Sequence, residues 1–288
     1  MKYRGDDLQR WIFEDWLLYF YIYSFVGWIW ESCYVSVLKK KFVNRGFMKG
    51  PLLPIYGSGA VCVLWVTLPV KGNYLLMALI GMAAATILEY VTGAVMEALF
   101  KVRYWDYSTE FCNLNGYVCL KSTLCWGVMT FLLVYLVHPP IAGLAGKIPE
   151  NFKNTVVFCI TILASADFAT SFKAAIDFRD VLMKAEQLRN ELKEIQRRLD
   201  ELEEQQKAEL QELLMKKRIW QEKLQGGYSK SIHGLLKRNP GTVSRKHAEA
   251  LEDVKSSIRE YLAGKKEMLE NRKKQMEKMK EDFSGRRQ

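Results

Sequence analysis

The sequence lacks the motifs by which the common nucleotide-binding proteins and hydrolases are recognised. It has no Walker A pattern, no HExxH zinc-protease motif and no GxSxG nucleophile elbow. Its three histidines, His138, His233 and His247, are far apart, and its six cysteines include no CxxC pair. These absences predict that the chain is not an enzyme, and in particular not itself an ATPase. We expect neither a cofactor nor a metal site.

Charge is scarce in the first part of the chain and dense in the rest. Residues 1–176 carry 15 Lys/Arg and 11 Asp/Glu, a net charge of +4, whereas residues 177–288 carry 27 Lys/Arg and 21 Asp/Glu, a net charge of +6. The basic excess needs no nucleic-acid partner, because cytoplasmic loops of membrane proteins collect Lys and Arg. We predict an N-terminal interfacial segment (1–15), a transmembrane helical domain (16–176) and a charged helical domain (177–288).

Five apolar stretches of the first 176 residues are candidates for membrane-spanning helices. The loop after the first stretch carries five cations within residues 39–49, so we expect it on the cytoplasmic side. With five spans, the N-terminus then lies outside and the charged domain is cytoplasmic; a four-span count would place that domain outside. Pro139 and Pro140 are expected to end the fourth span. The stretches are approximately 16–38, 55–70, 74–100, 117–138 and 155–176.

The charged domain has the heptad spacing typical of a coiled coil. Gly226-Gly227 interrupts the first helix, and the turn sequence Arg238-Asn239-Pro240-Gly241 precedes a second long helix that Ser244 can cap. We predict an antiparallel helical hairpin, with a parallel homodimer through the first helix as the alternative. The apolar positions are Val181, Leu188, Leu192, Ile195, Leu199 and Leu202, then Leu251, Val254, Ile258, Leu262, Leu269, Met276 and Met279.

Spans one and two resemble spans three and four. Each copy has a glycine, three further residues and then a glutamate within a span, and a loop of related sequence follows. The offset between the copies is 66 residues in the helices and 70 downstream. This pattern indicates a two-span internal repeat, and chance similarity is the alternative. The matched positions are Gly27 with Gly93, Glu31 with Glu97, Gly46-Phe47 with Gly116-Tyr117, and Tyr56-Gly57 with Trp126-Gly127.

Three glutamates lie within predicted spans, where charge is costly and is often functional. Glu89 and Glu97 share one face of span three with Ala85 and Gly93, and Glu31 lies in span one. The functional interpretation is a polar cluster that binds a cation or a cationic group, or relays protons. The structural alternative is that the glutamates pair with basic residues and hold the helices together. The candidate partners are Arg45, Lys49, Arg103 and Lys121.

Two loops add polar side chains to these carboxylates. Residues 44–59 are predicted either to re-enter the membrane or to form an interfacial turn. Residues 105–108 are expected to lie in an aromatic belt, with Asp106 paired to Arg103. Asp167 in span five is a further intramembrane carboxylate. The candidate substrate-binding residues are Glu31, Glu89, Glu97, Asn44, Arg45, Tyr56, Arg103, Trp105, Asp106, Tyr107, Asn115, Lys121 and Trp126.

Together these motifs resemble the ABC-transporter type IV family, also called CmpB-like membrane proteins. The resemblance covers about residues 17–140, and the charged domain lies outside it. It implies a bacterial cell-membrane protein of permease type, and it supplies neither a substrate nor catalytic residues. The motifs that carry it are YSFVGW with Glu31, NRGFMKGPLLPIYGSG, Glu89-Tyr90 with Gly93 and Glu97, WDYS at 105–108, and Asn115-Gly116 with Ser122 and Trp126-Gly127.

We interpret the chain as a multi-pass integral membrane protein that acts as a permease-like transport component. Its substrate is not indicated, and any ATPase would be a separate chain. The alternative is a membrane-anchored scaffold or regulator whose working part is the coiled coil. The partners that we expect are the lipid bilayer, a separate ATPase subunit or another protein bound through the coiled coil, and a second copy of the chain.

Overall fold

The computed structural model describes residues 13–200, 214–216, 219 and 229–285. Helices make up most of these residues, which contain two isolated β-bridges and no strand; this confirms the predicted all-α class. The eight α-helices that can be described are α1 (Phe13–Lys39), α2 (Pro54–Thr67), α3 (Tyr74–Phe100), α4 (Leu120–Leu132), α5 (His138–Ala145), α6 (Glu150–Asp200), α7 (Ser229–Arg238) and α8 (Ala248–Gly285).

The chain forms two compact units. The first comprises the described residues up to Ile176 together with Gly234–Val243, and the second comprises the other described residues. Residues 234–243 belong to the predicted charged domain, but the contacts of this segment lie in the first unit. Of the predicted interfacial segment, residues 13–15 are described, as the start of α1.

Three helices are long and apolar enough to cross a membrane: α3, the continuous helix Leu120–Ala145, and Glu150–Arg197 within α6. The helix Pro54–Val70, which includes a 3₁₀ turn after α2, is apolar but shorter. All five predicted spans therefore fall in helices. By length and composition, three of these helices fit a membrane, and the count of five remains a prediction.

The helix of the fourth predicted span does not end at Pro139-Pro140. It continues from α4 through a π-helical segment, Leu133–Val137, into α5, whose first turn holds both prolines. Proline lacks an N–H group and its ring crowds the carbonyl four residues earlier, but a π turn shifts the hydrogen-bond register and widens the helix. The predicted end at the prolines was wrong because this local adjustment accommodates them.

In the first unit, α1 packs on α2, α2 on α3, and α3 on α4. The buried face of α3 has the predicted four-residue step, which places its small residues and Glu89 against the neighbouring helices. Glycine is needed at Gly81 because a Cβ there would lie 2.3 Å from the Thr130 side chain on α4. The residues of this face are Met77, Gly81, Ala85, Glu89 and Gly93.

The second unit contains the C-terminal part of α6, the first residues of α7 and the whole of α8. Arg189 Nη1 donates to Asp253 Oδ2 at 2.8 Å, and Lys193 Nζ donates to Glu249 Oε2 at 3.1 Å. Because these carboxylates are exposed, burial of apolar side chains stabilises this unit more than the ion pairs do. Leu202 and Gly226-Gly227 lie outside the described residues, so the full coiled-coil hairpin remains a prediction. The buried apolar side chains of this unit include Phe178, Val181, Leu182, Ile232, Ala250, Leu251, Val254 and Ile258.

Candidate functional site

Glu31 on α1 is held by a tyrosine and an arginine. Gly27 lies one turn earlier, and a Cβ there would be 2.3 Å from Cγ of Tyr56, so glycine is what lets the ring of Tyr56 pack against α1. The Tyr56 hydroxyl donates to Glu31 Oε1 at 2.9 Å, and Arg45 Nε lies 3.5 Å from Oε2. Arg45 was one of the basic partners expected from the sequence. For Glu31, the geometry favours the structural role.

Glu97 on α3 has an environment of the same kind. A Cβ at Gly93, one turn earlier, would lie 3.0 Å from Cδ1 of Tyr117. The Tyr117 hydroxyl donates to Glu97 Oε2 at 2.6 Å, and Arg103 Nε donates to the same oxygen at 2.6 Å. The Arg103 guanidinium also lies over the Tyr117 ring, 4.4 Å from its centroid. The negative charge of Glu97 is therefore compensated by the Arg103 guanidinium, and the same carboxylate oxygen accepts a hydrogen bond from the Tyr117 phenol.

Arg103 is the residue around which the loop after α3 is organised. Its side chain is 4% exposed, and Nη1 donates to Asp106 Oδ1 at 3.3 Å and to the Asn115 carbonyl at 2.8 Å. Burial alone would lower the pKa of Arg103, but the hydrogen bond and charge of Glu97 raise it overall. The guanidinium is therefore permanently charged, and it joins α3 to both ends of the loop. The expected pairing of Arg103 with Asp106 is present.

Glu89 differs from both of these carboxylates. It is 7% exposed, Trp126 Nε1 donates to Oε2 at 2.9 Å, and the Tyr107 hydroxyl lies 3.4 Å from Oε1. Both donors are neutral. Within the part of the chain that the structure describes, no basic side chain forms an ion pair with Glu89. The structural alternative of a compensating cation is therefore not met at Glu89, in contrast to Glu31 and Glu97.

Two aromatic side chains connect the environment of Glu31 with that of Glu89. The rings of Tyr56 and Trp126 are tilted, with centroids 6.4 Å apart. Burial raises the pKa of Tyr107, which lies in the loop, and the charges of Glu89 and Glu31 raise it further. The structure thus brings together five of the predicted site residues, which we call the carboxylate cluster: Glu31, Tyr56, Glu89, Tyr107 and Trp126.

Four other predicted site residues have different positions. Asn44 accepts a hydrogen bond from Trp28 Nε1 at 2.6 Å and donates to the Lys49 carbonyl, so it shapes the loop after α1. Trp105 Nε1 donates to the Tyr117 carbonyl at 2.9 Å, and Asn115 Nδ2 donates to the Tyr90 hydroxyl at 2.8 Å. These contacts order the second loop. Lys121 is exposed at the start of α4.

Two contacts within the first unit were not predicted from the sequence. Asp167 accepts hydrogen bonds from the backbone amides of Lys49 and Gly50, at 3.2 and 2.8 Å, and so fixes the proline-containing loop. Gly234–Val243 contacts the loops after α1 and α3. The turn motif Asn239-Pro240-Gly241 was recognised, but its polar composition gave no sign that Asn239 and its neighbours Arg238 and Thr242 are buried.

An apolar helical unit with three helices that could cross a membrane, and with carboxylate and aromatic side chains clustered between its helices, defines a class, the helical membrane proteins. The family model described as "Putative ABC-transporter type IV" matches residues 18–172, which is more than half of the chain, and the chain belongs to this family. The match confirms the resemblance and extends it beyond the expected end near residue 140, into α6. Comparisons with curated proteins and with solved structures found no match.

Proposed function

We propose that this chain is a permease-like component of a membrane transport system, with Glu89 of the carboxylate cluster as the charged group of its substrate or ion site. The observation that carries the proposal is Glu89, which is buried in a span and held by Trp126 and Tyr107 without a basic partner among the described residues. An ionisable group at such a position is costly, and functional sites account for most such groups. Membership of the family supports transport as the context.

The chemistry of the cluster favours a cation or a cationic group as the ligand. Arg45 compensates the charge of Glu31, whereas an ionised Glu89 would leave a net negative charge. The faces of Tyr56 and Trp126 are close by, and aromatic faces attract cations. A proton is the smallest ligand of this kind, so proton relay belongs to the same proposal.

The finer topology is part of the proposal. The chain crosses the membrane five times, with its N-terminus outside and its charged C-terminal domain in the cytoplasm. Spans one and two are related to spans three and four by an internal repeat. The matched glycines Gly46 and Gly116 support the repeat because both adopt a positive φ, 122° and 73°. The chain catalyses no reaction, and a separate ATPase subunit that contacts the coiled coil supplies any energy from ATP.

Affinity purification of the tagged full-length chain from native membranes tests the proposed role. We expect a co-purifying ATPase. Recovery of soluble regulators or cell-envelope proteins alone would contradict the permease role.

A scaffold or regulator is the second candidate, and the ion pairs of Arg189 and Lys193 with α8 favour it because they lie on the exposed surface of a charged unit that the carboxylate cluster does not use. Two variants separate the candidates in a host that depends on the chain. Glu89→Gln should abolish function, and the charge reversal Arg189→Glu/Lys193→Glu should have a milder effect. The opposite order would support the scaffold, provided that both variants reach the membrane at the level of the unchanged protein.

A further inference from the structure

The segment Gly234–Val243 is bonded to the loop that follows α1. Asn239 Nδ2 donates to the Gly46 carbonyl at 3.2 Å, and Arg238 Nη2 donates to the Phe47 carbonyl at 3.4 Å. In the opposite direction, Arg45 Nη1 donates to the Arg238 carbonyl at 3.2 Å. The same Arg45 side chain reaches Glu31 through Nε. The Arg238 carbonyl therefore binds Nη1 of the Arg45 guanidinium, whose Nε faces Glu31.

The same segment is bonded to the loop that follows α3. Arg103 N donates to the Val243 carbonyl at 2.6 Å, and Val243 N donates to the Arg103 carbonyl at 3.0 Å. These two bonds form an antiparallel bridge that fixes the backbone of Arg103. The side chain of this residue is the one that reaches Glu97. One short segment thus contacts both arginines that compensate intramembrane glutamates.

The contact is buried and polar. Arg238, Asn239 and Thr242 are 9%, 3% and 2% exposed, and Thr242 Oγ1 donates to the Asn239 carbonyl at 2.7 Å to close the turn. Burial lowers the pKa of Arg238. A buried polar surface is costly unless its groups are hydrogen-bonded, so this contact depends on a defined register. Non-specific apolar adhesion would not require such pairing.

We propose that Gly234–Val243 is a latch that positions Arg45 on Glu31 and Arg103 on Glu97. Asn239 and Val243 act through the two arginines and are positioning residues. When the latch is released, each glutamate loses a positioned guanidinium while the phenol of Tyr56 or Tyr117 remains. The chain enters and leaves the latch through the charged part of the sequence, so a partner that binds there can control the carboxylates. The functional consequence rests on the transport proposal, but the positioning itself can be tested without a substrate.

Two variants loosen the two ends of the latch separately. Asn239→Ala removes the hydrogen bond to Gly46, next to Arg45. Val243→Pro removes the N–H group that donates to Arg103. Lys237→Ala is the matched control, because Lys237 is exposed in the same segment. All three are made in the full-length chain, purified in detergent and compared by circular dichroism.

The probe is dicyclohexylcarbodiimide, a hydrophobic reagent that adds to protonated carboxyl groups. A carboxylate paired with a guanidinium stays ionised and therefore reacts slowly. Labelling is quantified by peptide mass spectrometry at Glu31, Glu97 and Glu89. We expect Asn239→Ala to raise labelling of Glu31 and Val243→Pro to raise labelling of Glu97. Each increase should be about fivefold, which corresponds to one lost hydrogen bond of about 1 kcal/mol. Labelling of Glu89 should stay constant, and Lys237→Ala should match the unchanged protein.

The crossed pattern separates positioning from general loosening of the fold. Equal increases at all three glutamates, or no increase at Glu31 and Glu97, would overturn the latch. If Val243→Pro fails to fold, Asn239→Ala alone still tests the latch. In that variant the labelling of Glu31 should rise and the labelling of Glu97 should not. Failure of the transport proposal would instead be seen in Glu89→Gln, with the labelling pattern intact.

Discussion

A glutamate is held in the same way in two helix pairs, α1–α2 and α3–α4, although different residues make the contacts. In the first pair, Gly27 admits Tyr56, which donates to Glu31; in the second, Gly93 admits Tyr117, which donates to Glu97. An arginine from the following loop completes each arrangement. The two tyrosines do not occupy matching sequence positions, so the arrangement is similar although the donor comes from a different element.

The two helix pairs differ in the partner of one aromatic side chain. Because Tyr117 donates to Glu97 in the second pair, Trp126 contacts a different carboxylate. Trp126 occupies the position that matches Tyr56, but it donates to Glu89 and not to Glu97. Tyr23 is at the position that matches Glu89, and its hydroxyl is hydrogen-bonded to His138 Nδ1 at 2.8 Å. The comparison therefore favours the structural alternative for Glu31 and Glu97, each of which has a basic partner. It leaves Glu89 as the carboxylate without a counterpart.

Removal of the two arginines should have the largest and most unequal effects. Arg103 is 4% exposed and has three acceptors, whereas Arg45 is 19% exposed and lies 3.5 Å from Glu31. Arg103→Met should lower the free energy of unfolding by about 3–5 kcal/mol, as for a broken buried pair. Arg45→Met should cost only about 1 kcal/mol. Unfolding by SDS titration in mixed micelles measures both, and equal losses would show that the two pairs are energetically alike.

The two glycines should differ in the same assay. A Cβ at Gly27 would lie 2.3–2.4 Å from Cγ and Cβ of Tyr56, atoms near the backbone that cannot move without shifting α2. Gly27→Ala should therefore cost about 1–3 kcal/mol of overpacking. At Gly93 the nearest atom is 3.0 Å away, so Gly93→Ala should cost less than about 1 kcal/mol. A larger loss at Gly93 would contradict the packing described for the first pair.

Trp126 and Tyr56, which occupy matching positions of the predicted repeat, should each have a smaller effect on the free energy of unfolding. Trp126→Phe removes the 2.9 Å donor to Glu89, which keeps the longer contact with Tyr107 and a hydrogen bond with the Ser122 side chain. Tyr56→Phe removes one donor from Glu31, which keeps Arg45. We expect losses of about 1–2 kcal/mol for Trp126→Phe and about 0.5–1 kcal/mol for Tyr56→Phe. The reverse order would mean that Glu89 is not the less compensated carboxylate.

The second unit supplies the baseline of the comparison. Arg189 pairs with carboxylates that are 62% and 63% exposed, so solvent screens these interactions. Arg189→Ala should lower the melting temperature less than any variant above. This small decrease should disappear at high salt, because salt screens the ion pairs that the variant removes. A large loss that salt does not reduce would show that charge, and not apolar burial, holds this unit together.

Periodicity and composition predicted the helices well, because their apolar runs and breaks are local. The bounds of α3 were predicted as observed, from Tyr74 to Phe100, and the four-residue step through Glu89 identified its buried face. The prolines misled the prediction because a π turn is a small local adjustment with no clear sequence signal.

The site was predictable in its residue types but not in its pairing. Arg45 and Arg103 were expected as partners of the glutamates, since they are the nearby loop cations. The choice of Trp126 and Tyr107 for Glu89 depends on how α3, α4 and the loop pack, which one sequence does not specify. The docking of Asn239 on Gly46 joins residues 193 positions apart. Such contacts carry no local pattern.

The most direct test of the account is a titration of the purified chain with tetramethylammonium, a small probe cation, followed by its melting temperature. A ligand that binds the folded state raises this temperature. The account predicts a concentration-dependent rise for the unchanged protein, for Glu31→Gln and for Glu97→Gln, and none for Glu89→Gln. A rise in Glu89→Gln equal to that of the unchanged protein would contradict the assignment of Glu89 as the cation site.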